Sequence, residues 1–271
     1  MKTDSEEQMC RDGLRAAKLV VVKVGSSSLS DKLGNIDFNK IKLLCEELSR
    51  LKKQGTGVIL VSSGAIRSGR AVVSNFMKNG EIPRLQAFAA IGQVLLMEAY
   101  RDAMALKGFN VAQILLTWDD FRNRSRLKNL LNTLNTLLSF GIVPIINEND
   151  TISTDEIKFG DNDTLSALVT VNMGADLLVI LSDVDGLYTG DPGSPGTRLI
   201  SFVESITPEI ERLASDKFGG FGGMATKLKA ARMVNDAGIP MVIANGANFG
   251  ILEEILAGKR VGTIFRPREA R

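Results

Sequence analysis

Lys23 stands near the end of the apolar run LVVVKV (19–24), and Lys227 opens a helix-like run directly after the glycine-rich FGGFGG (218–223). A lysine inside a β-branched run needs an anionic partner, because its ammonium is costly to bury alone. Gly25, Ser26, Ser27 and Ser28 follow the first run, and SSGA (62–65) leads straight into a predicted helix. Free backbone N–H groups and the helix dipole at such a start favour an anion, and a nucleotide phosphate suits these parts. Between the lysines lies NENDTISTDEIKFGDNDTLSA (147–167), which holds Glu148, Asp150, Asp155, Glu156, Asp161 and Asp163 with the amides Asn147 and Asn162. The amides are suited to hold a carboxylate and Asp150 an ammonium, a mixture that fits a zwitterionic amino acid. A solvated loop would use the same residues to start the helix at Thr164, with Asp163 as its N-cap.

Several chemistries drop out. The chain has no histidine, which removes histidine bases, histidine metal ligands and the Ser-His-Asp triad. No G-x-x-x-x-G-K-[ST] run occurs, so a P-loop is excluded. GFGGMA (220–225) satisfies G-x-G-x-x-[GA], but it follows the charged stretch PEIERLASDKF rather than a strand, and no acid ends the next strand. The glycines read instead as a flexible phosphate-side loop that brings Lys227 to the ligand. A formal net charge of +2 gives no reason to expect a nucleic acid or a membrane surface as partner. Cys10 and Cys45 have neither metal nor redox spacing and read as reduced, structural and cytoplasmic. No apolar run is long enough to span a bilayer.

The elements that must position these groups alternate. LVVVKV (19–24), GVILV (57–61), VAQILL (111–116), IVPII (142–146), LLVIL (177–181), MVIA (241–244) and GTIF (262–265) read as short strands, with helical periodicity between them. Phe38, Ile41, Leu44, Cys45, Leu48 and Leu51 mark one helix, Ala65 opens another, and a long one follows Pro83. The expected fold is a three-layer α/β/α sandwich around a mainly parallel sheet, with ligands beyond the carboxyl ends of the strands. Residues 1–17 read as a tail, 18–271 as one domain of two lobes, and 183–223 mostly as loops.

The motifs VVKVGSSSL (21–29), LVSSGAI (60–66), IINEND (145–150), EIKFGDNDTLSA (156–167), LSDVDGLYTGDP (181–192) and GGMATKLKAA (222–231) occur in this order. The chain resembles the amino acid kinase family from about Leu19 to its end, and NEND followed by FGDND resembles the branch that phosphorylates the side-chain carboxylate of glutamate in proline biosynthesis. The resemblance implies ATP and Mg²⁺, with no carboxylate singled out for the metal. It implies that Lys23 and Lys227 hold the phosphates and that Asp163 orients both lysines. Ser63, Gly64, Asn147, Asp150 and Asn162 would bind glutamate. Gly25, Ser26, Ser182, Asp183, Phe221, Gly222, Gly223, Met224, Ala225 and Thr226 would line the nucleotide with the two lysines. Phe221 and Ser182 stand where the family usually has threonine. The resemblance further implies a glutamate-binding lobe at 18–175, a nucleotide-binding lobe at 176–271, no C-terminal RNA-binding-like domain, and a reductase that collects the labile product.

Two other readings share these residues: a relative acting on acetylglutamate or uridine monophosphate, and a non-catalytic sensor. The acidic segment argues against the first, since acetylglutamate has no ammonium and a nucleotide acceptor calls for cations. Two lysines with an aspartate between them argue against the second. The apolar helix after Pro83 further predicts a homo-oligomer, a dimer at least.

Overall fold

The computed structural model describes residues 2–31, 35–73, 81–153, 162–214 and 223–268. Within them the elements run α1 (Lys2–Gly13), β1 (Leu19–Val24), α2 (Phe38–Lys53), β2 (Gly57–Ser62), α3 (Ala65–Val72), α4 (Ile82–Ala105), β3 (Val111–Leu116), α5 (Trp118–Arg122), α6 (Arg124–Ser139) and β4 (Val143–Glu148). They continue as α7 (Asn162–Met173), β5 (Leu177–Ser182), β6 (Phe202–Val203), α8 (Pro208–Leu213), α9 (Met224–Asp236), β7 (Met241–Asn245), α10 (Ile251–Leu256) and β8 (Thr263–Phe265). The strands form one sheet in the order β3-β4-β2-β1-β5-β7-β8-β6. Pairing is parallel except between β7 and β8, so the expected layered, mainly parallel fold is what the chain adopts.

β1 lies in the middle of the sheet, with Lys23 opposite Val61 of β2 and Ile180 of β5. Alternation along the strand decides where each side chain goes. Val20, Val22 and Val24 enter the core formed with α2, α4 and α10, while Val21 enters the opposite core with α7 and α9. Each of these fully buried valines contributes about 1.5–3 kcal/mol. Lys23 shares the parity of Val21, which directs its ammonium to the α7 and α9 side.

One close helix contact frames the site from the other face. A Cβ on Gly92 of α4 would collide with the backbone carbonyl of Ala65, and one on Gly69 of α3 with that of Phe88. Two glycines thus let α3 and α4 meet backbone to backbone, which brings the face of α4 after Gly92 to the end of β2.

Three features add to the sequence expectation. Residues 2–13, read as part of a tail, are helical. Arg11 is wholly buried: it pairs with Glu7 at 2.8 Å and donates to the carbonyls of Lys259 (3.0 Å), Val261 (2.8 Å) and Ser201 (2.9 Å). A charge-rich helix gives no apolar periodicity to read, and its anchor is polar. The 183–223 stretch contains β6 and α8, the latter capped by Thr207 Oγ1 accepting from Ile210 N at 3.4 Å. β8 reverses direction after Gly262, whose φ of 63° favours glycine. Among the described residues no helix is long and apolar enough to cross a membrane.

Candidate active site

Lys23 Nζ lies 2.7 Å from Asp163 Oδ1, and Lys227 Nζ lies 3.2 Å from Asp163 Oδ2. Thr226 Oγ1 donates to the same Oδ2 at 2.7 Å and is 2.9 Å from the Gly223 carbonyl. All three charged groups are buried, Asp163 completely. Burial alone would raise the Asp163 carboxyl, but the adjacent ammonium groups of Lys23 and Lys227 and the Lys23 and Thr226 hydrogen bonds hold it at about 2. Two ammoniums converge on one carboxylate, a setting in which phosphate oxygens can also be held. Asp163 is not the N-cap. The described helix begins at Asn162, which puts Asp163 inside its first turn, and the Asp163 carboxylate pairs with the two lysines.

The turn after β1 wraps this centre. A Cβ on Gly25 would stand 3.6 Å from Lys23 Nζ, and Gly25 N donates to Leu181 O at 3.4 Å. The carbonyl of Ser26 accepts from Ser30 Oγ at 2.7 Å. At the end of β5, the buried Ser182 donates to the exposed Asp183 Oδ1 at 3.2 Å. Gly223 is the N-cap of α9, and Met224, Ala225 and Thr226 make its first turn with Lys227. Phe221 and Gly222 lie outside the described residues, as do Asp155, Glu156 and Asp161.

Immediately before Asp163, Asn162 belongs to a second cluster. Its Nδ2 donates to Ser63 Oγ at 2.6 Å and to Asn147 Oδ1 at 2.9 Å. Asn147 Nδ2 donates onward to Gln93 Oε1 of α4 at 2.9 Å. Gly64 takes a left-handed φ of 115° to start α3, and a Cβ there would stand 2.9 Å from Ile36 Cδ1. Asp150 is 5% exposed, and its Oδ1 and the Oδ1 of Asn162 are buried without a partner among the described residues. Burial, then the neighbouring Glu148, pushes the Asp150 carboxyl up to about 7. Buried acceptors left bare suit a ligand with N–H donors, and an ammonium above all.

Two site-building residues escape sequence reading. Gln93 is one, and Tyr100 of α4 is the other, its buried hydroxyl 2.7 Å from Ser62 Oγ at the end of β2. Their signal is a polar group on the buried face of α4, whose other buried residues are apolar or glycine.

The sequence profile of the amino acid kinase family matches residues 18–245. The glutamate 5-kinase of Pelobacter propionicus is 48% identical over 265 residues, covering 97% of this chain and 71% of that protein. That of Geobacter metallireducens is 49% identical over 257 residues, covering 94% and 69%. Among solved structures, the carbamate kinase from Giardia lamblia bound to AMP-PNP superposes with a TM-score of 0.67 at 17% identity, over 93% of this chain and 99% of that one. The UMP kinase from Bacillus anthracis gives 0.62 at 16% identity, over 93% and 97%. At such identities the structures speak to the fold alone.

Proposed function

The chain belongs to the amino acid kinase family, and from that premise we propose that it transfers the γ-phosphoryl group of ATP to the side-chain carboxylate of L-glutamate. The product is γ-glutamyl phosphate, the first intermediate of proline biosynthesis. One observation carries this reading: consecutive residues, Asn162 and Asp163, join a buried amide cluster with a bare acceptor to the pair of lysines. An amino acid held in the first presents its far carboxylate toward a phosphate held in the second.

The residues suit the chemistry. A γ-carboxylate with a pKa of ~4.3 is ionised at neutral pH, so no general base is required. What remains is to bring two anions together and to stabilise charge on the moving phosphoryl group. Lys23 and Lys227 do this, and Asp163 holds both ammoniums in place. Asp150 and Asn162 Oδ1 receive the substrate ammonium, and Ser63, Gly64 and Asn147 shape the rest of its pocket. Gly25, Ser26, Ser182, Asp183 and residues 221–226 line the nucleotide. Residues 18–175 then form the glutamate lobe and 176–271 the nucleotide lobe. Mg²⁺ would be held chiefly by the ATP phosphates, the central Asp163 carboxylate being paired with the two lysines. When bound, it neutralises phosphate charge. ADP release with glutamate, N-acetylglutamate and UMP side by side tests the assignment. Turnover with glutamate alone is expected, and preference for either other acceptor, or binding without turnover, contradicts it.

Asp150 makes the reaction pH-dependent. Its carboxyl, raised to about 7, must be ionised to meet an ammonium. The KM for glutamate therefore rises as pH falls through 7 and levels off above it, while the KM for ATP stays flat. Asp150→Asn raises the glutamate KM by about 10- to 100-fold, the scale of a charged hydrogen bond, and abolishes its slope with pH. Equal losses for both substrates would sink this assignment.

The assembly is a homodimer at least. α4 leaves Ile91 39% and Val94 60% exposed one turn apart, an apolar strip that a second copy would cover. Light scattering at micromolar concentration should return a dimer mass, and a monomer would remove the idea. The enzyme works in the cytoplasm, where a reductase takes up its labile acyl phosphate.

A further inference from the structure

The orientation of the amides in the glutamate pocket follows from one group that cannot be flipped. The backbone N–H of Glu148 donates to an Asn147 side-chain atom at 2.9 Å, so that atom is the carbonyl oxygen. Asn147 Nδ2 then faces Gln93, 2.9 Å away, which must offer its own carbonyl Oε1. In the other direction, Asn147 Oδ1 must accept from Asn162 at 2.9 Å, so Asn162 turns its Nδ2 inward. The second Nδ2 hydrogen goes to Ser63 Oγ at 2.6 Å. Both donors of Asn162 are spent, and its Oδ1 is left bare and buried.

We infer that Gln93 is a positioning residue for amino-acid specificity: by accepting from Asn147, it steadies the amide chain that holds Asn162 Oδ1 out as a bare, buried acceptor. The Oε1 of Gln93 is spent on Asn147. Gly92, next to it, is where α4 presses on α3, so Gln93 is carried on a backbone with little room to shift. Without its acceptor, the buried Asn147 Nδ2 loses its partner while the Glu148 N–H still holds Asn147 Oδ1, so the amide is strained out of place rather than turned over. Asn162, bonded to Asn147 Oδ1, shifts with it, and its bare Oδ1 leaves the position that meets the ligand. The feature selected is the free α-ammonium, against analogues that lack it.

This inference rests on the glutamate reading, and the test separates the two. Steady-state kinetics of the full chain with ATP–Mg²⁺ are compared for wild type, Gln93→Leu and Gln93→Glu, with glutarate as a competitive inhibitor. Glutarate keeps both carboxylates and has no ammonium. Gln93→Leu should raise the KM for glutamate about tenfold or more, the effect of an unpaired buried donor, with the Ki of glutarate and the KM of ATP within about twofold. Gln93→Glu retains an acceptor at the same place and should hold the glutamate KM within about threefold of wild type. If Gln93→Leu does not fold by circular dichroism, Gln93→Glu decides alone, and a tenfold rise there overturns the inference. Equal losses for glutamate and glutarate, or no loss in Gln93→Leu, also overturn it while leaving the glutamate reading intact. A wild type inactive on glutamate would overturn both.

Discussion

Replacing Lys227 with alanine should lower kcat about a hundred- to a thousandfold, the usual effect of losing one preorganised transition-state donor, while the KM for ATP changes little. The fold gives a reason to expect a clean effect. Thr226 Oγ1 stays bonded to Asp163 and to the Gly223 carbonyl, so the start of α9 remains pinned without Lys227. Lys23 also keeps its own ion pair with Asp163 at 2.7 Å. What disappears is one ammonium that meets the phosphoryl group chiefly as it moves. Arginine should not restore the rate, because a planar fork cannot take the place of a compact ammonium in a buried, crowded site. Steady-state kinetics of both variants check this. Near-normal kcat in Lys227→Ala would leave phosphoryl transfer to Lys23 and the metal.

Asp163→Asn should be the most destabilising substitution in the site. It removes the carboxylate that pairs with both buried lysines, Lys23 and Lys227, and breaking a buried pair from one side typically costs about 3–5 kcal/mol. For a chain of this size the melting temperature should fall by roughly 2–4 °C for each kcal/mol. Adding ATP–Mg²⁺ should recover more of that loss in the variant than in wild type, since phosphate oxygens supply the missing charge. The acid limb gives an independent check. A carboxyl held at about 2 in the fold, against about 4 when unfolded, contributes stability that is fully present above pH 4 and lost as pH falls toward 2. Asp163→Asn should lack that component of the acid transition. A variant as stable as wild type at neutral pH would mean that the lysines are satisfied without Asp163.

The strands and their polar ends were legible because apolar runs, Gly-Ser turns and Lys23 all break the same pattern at the same sheet edge. Lys23 was the sharpest signal, since a lysine in LVVVKV announces an anion that is found only after folding. From its neighbours alone Asp163 reads as a helix cap, because a cap and an ion-pair partner look alike until Lys23 and Lys227 are brought to it; only the family resemblance put it between the two lysines. Gln93 was hidden for a related reason: its partner Asn147 lies 54 residues away in the chain. β6, the reversal of β8 and the polar anchoring of α1 by Arg11 depend on contacts across the chain that leave no periodicity. Orientation of the amide chain depends on a backbone N–H, which no side-chain pattern encodes.

The central claim is that a carboxylate oxygen of glutamate, and no other acceptor, receives the phosphoryl group. Running the reaction with ATP–Mg²⁺, L-glutamate and hydroxylamine tests it most directly, because hydroxylamine converts an acyl phosphate to a stable hydroxamate. The account predicts γ-glutamyl hydroxamate formed in step with ADP, about one for one, and lost together with ADP release in Lys227→Ala. ADP released in the presence of glutamate with no hydroxamate would contradict it.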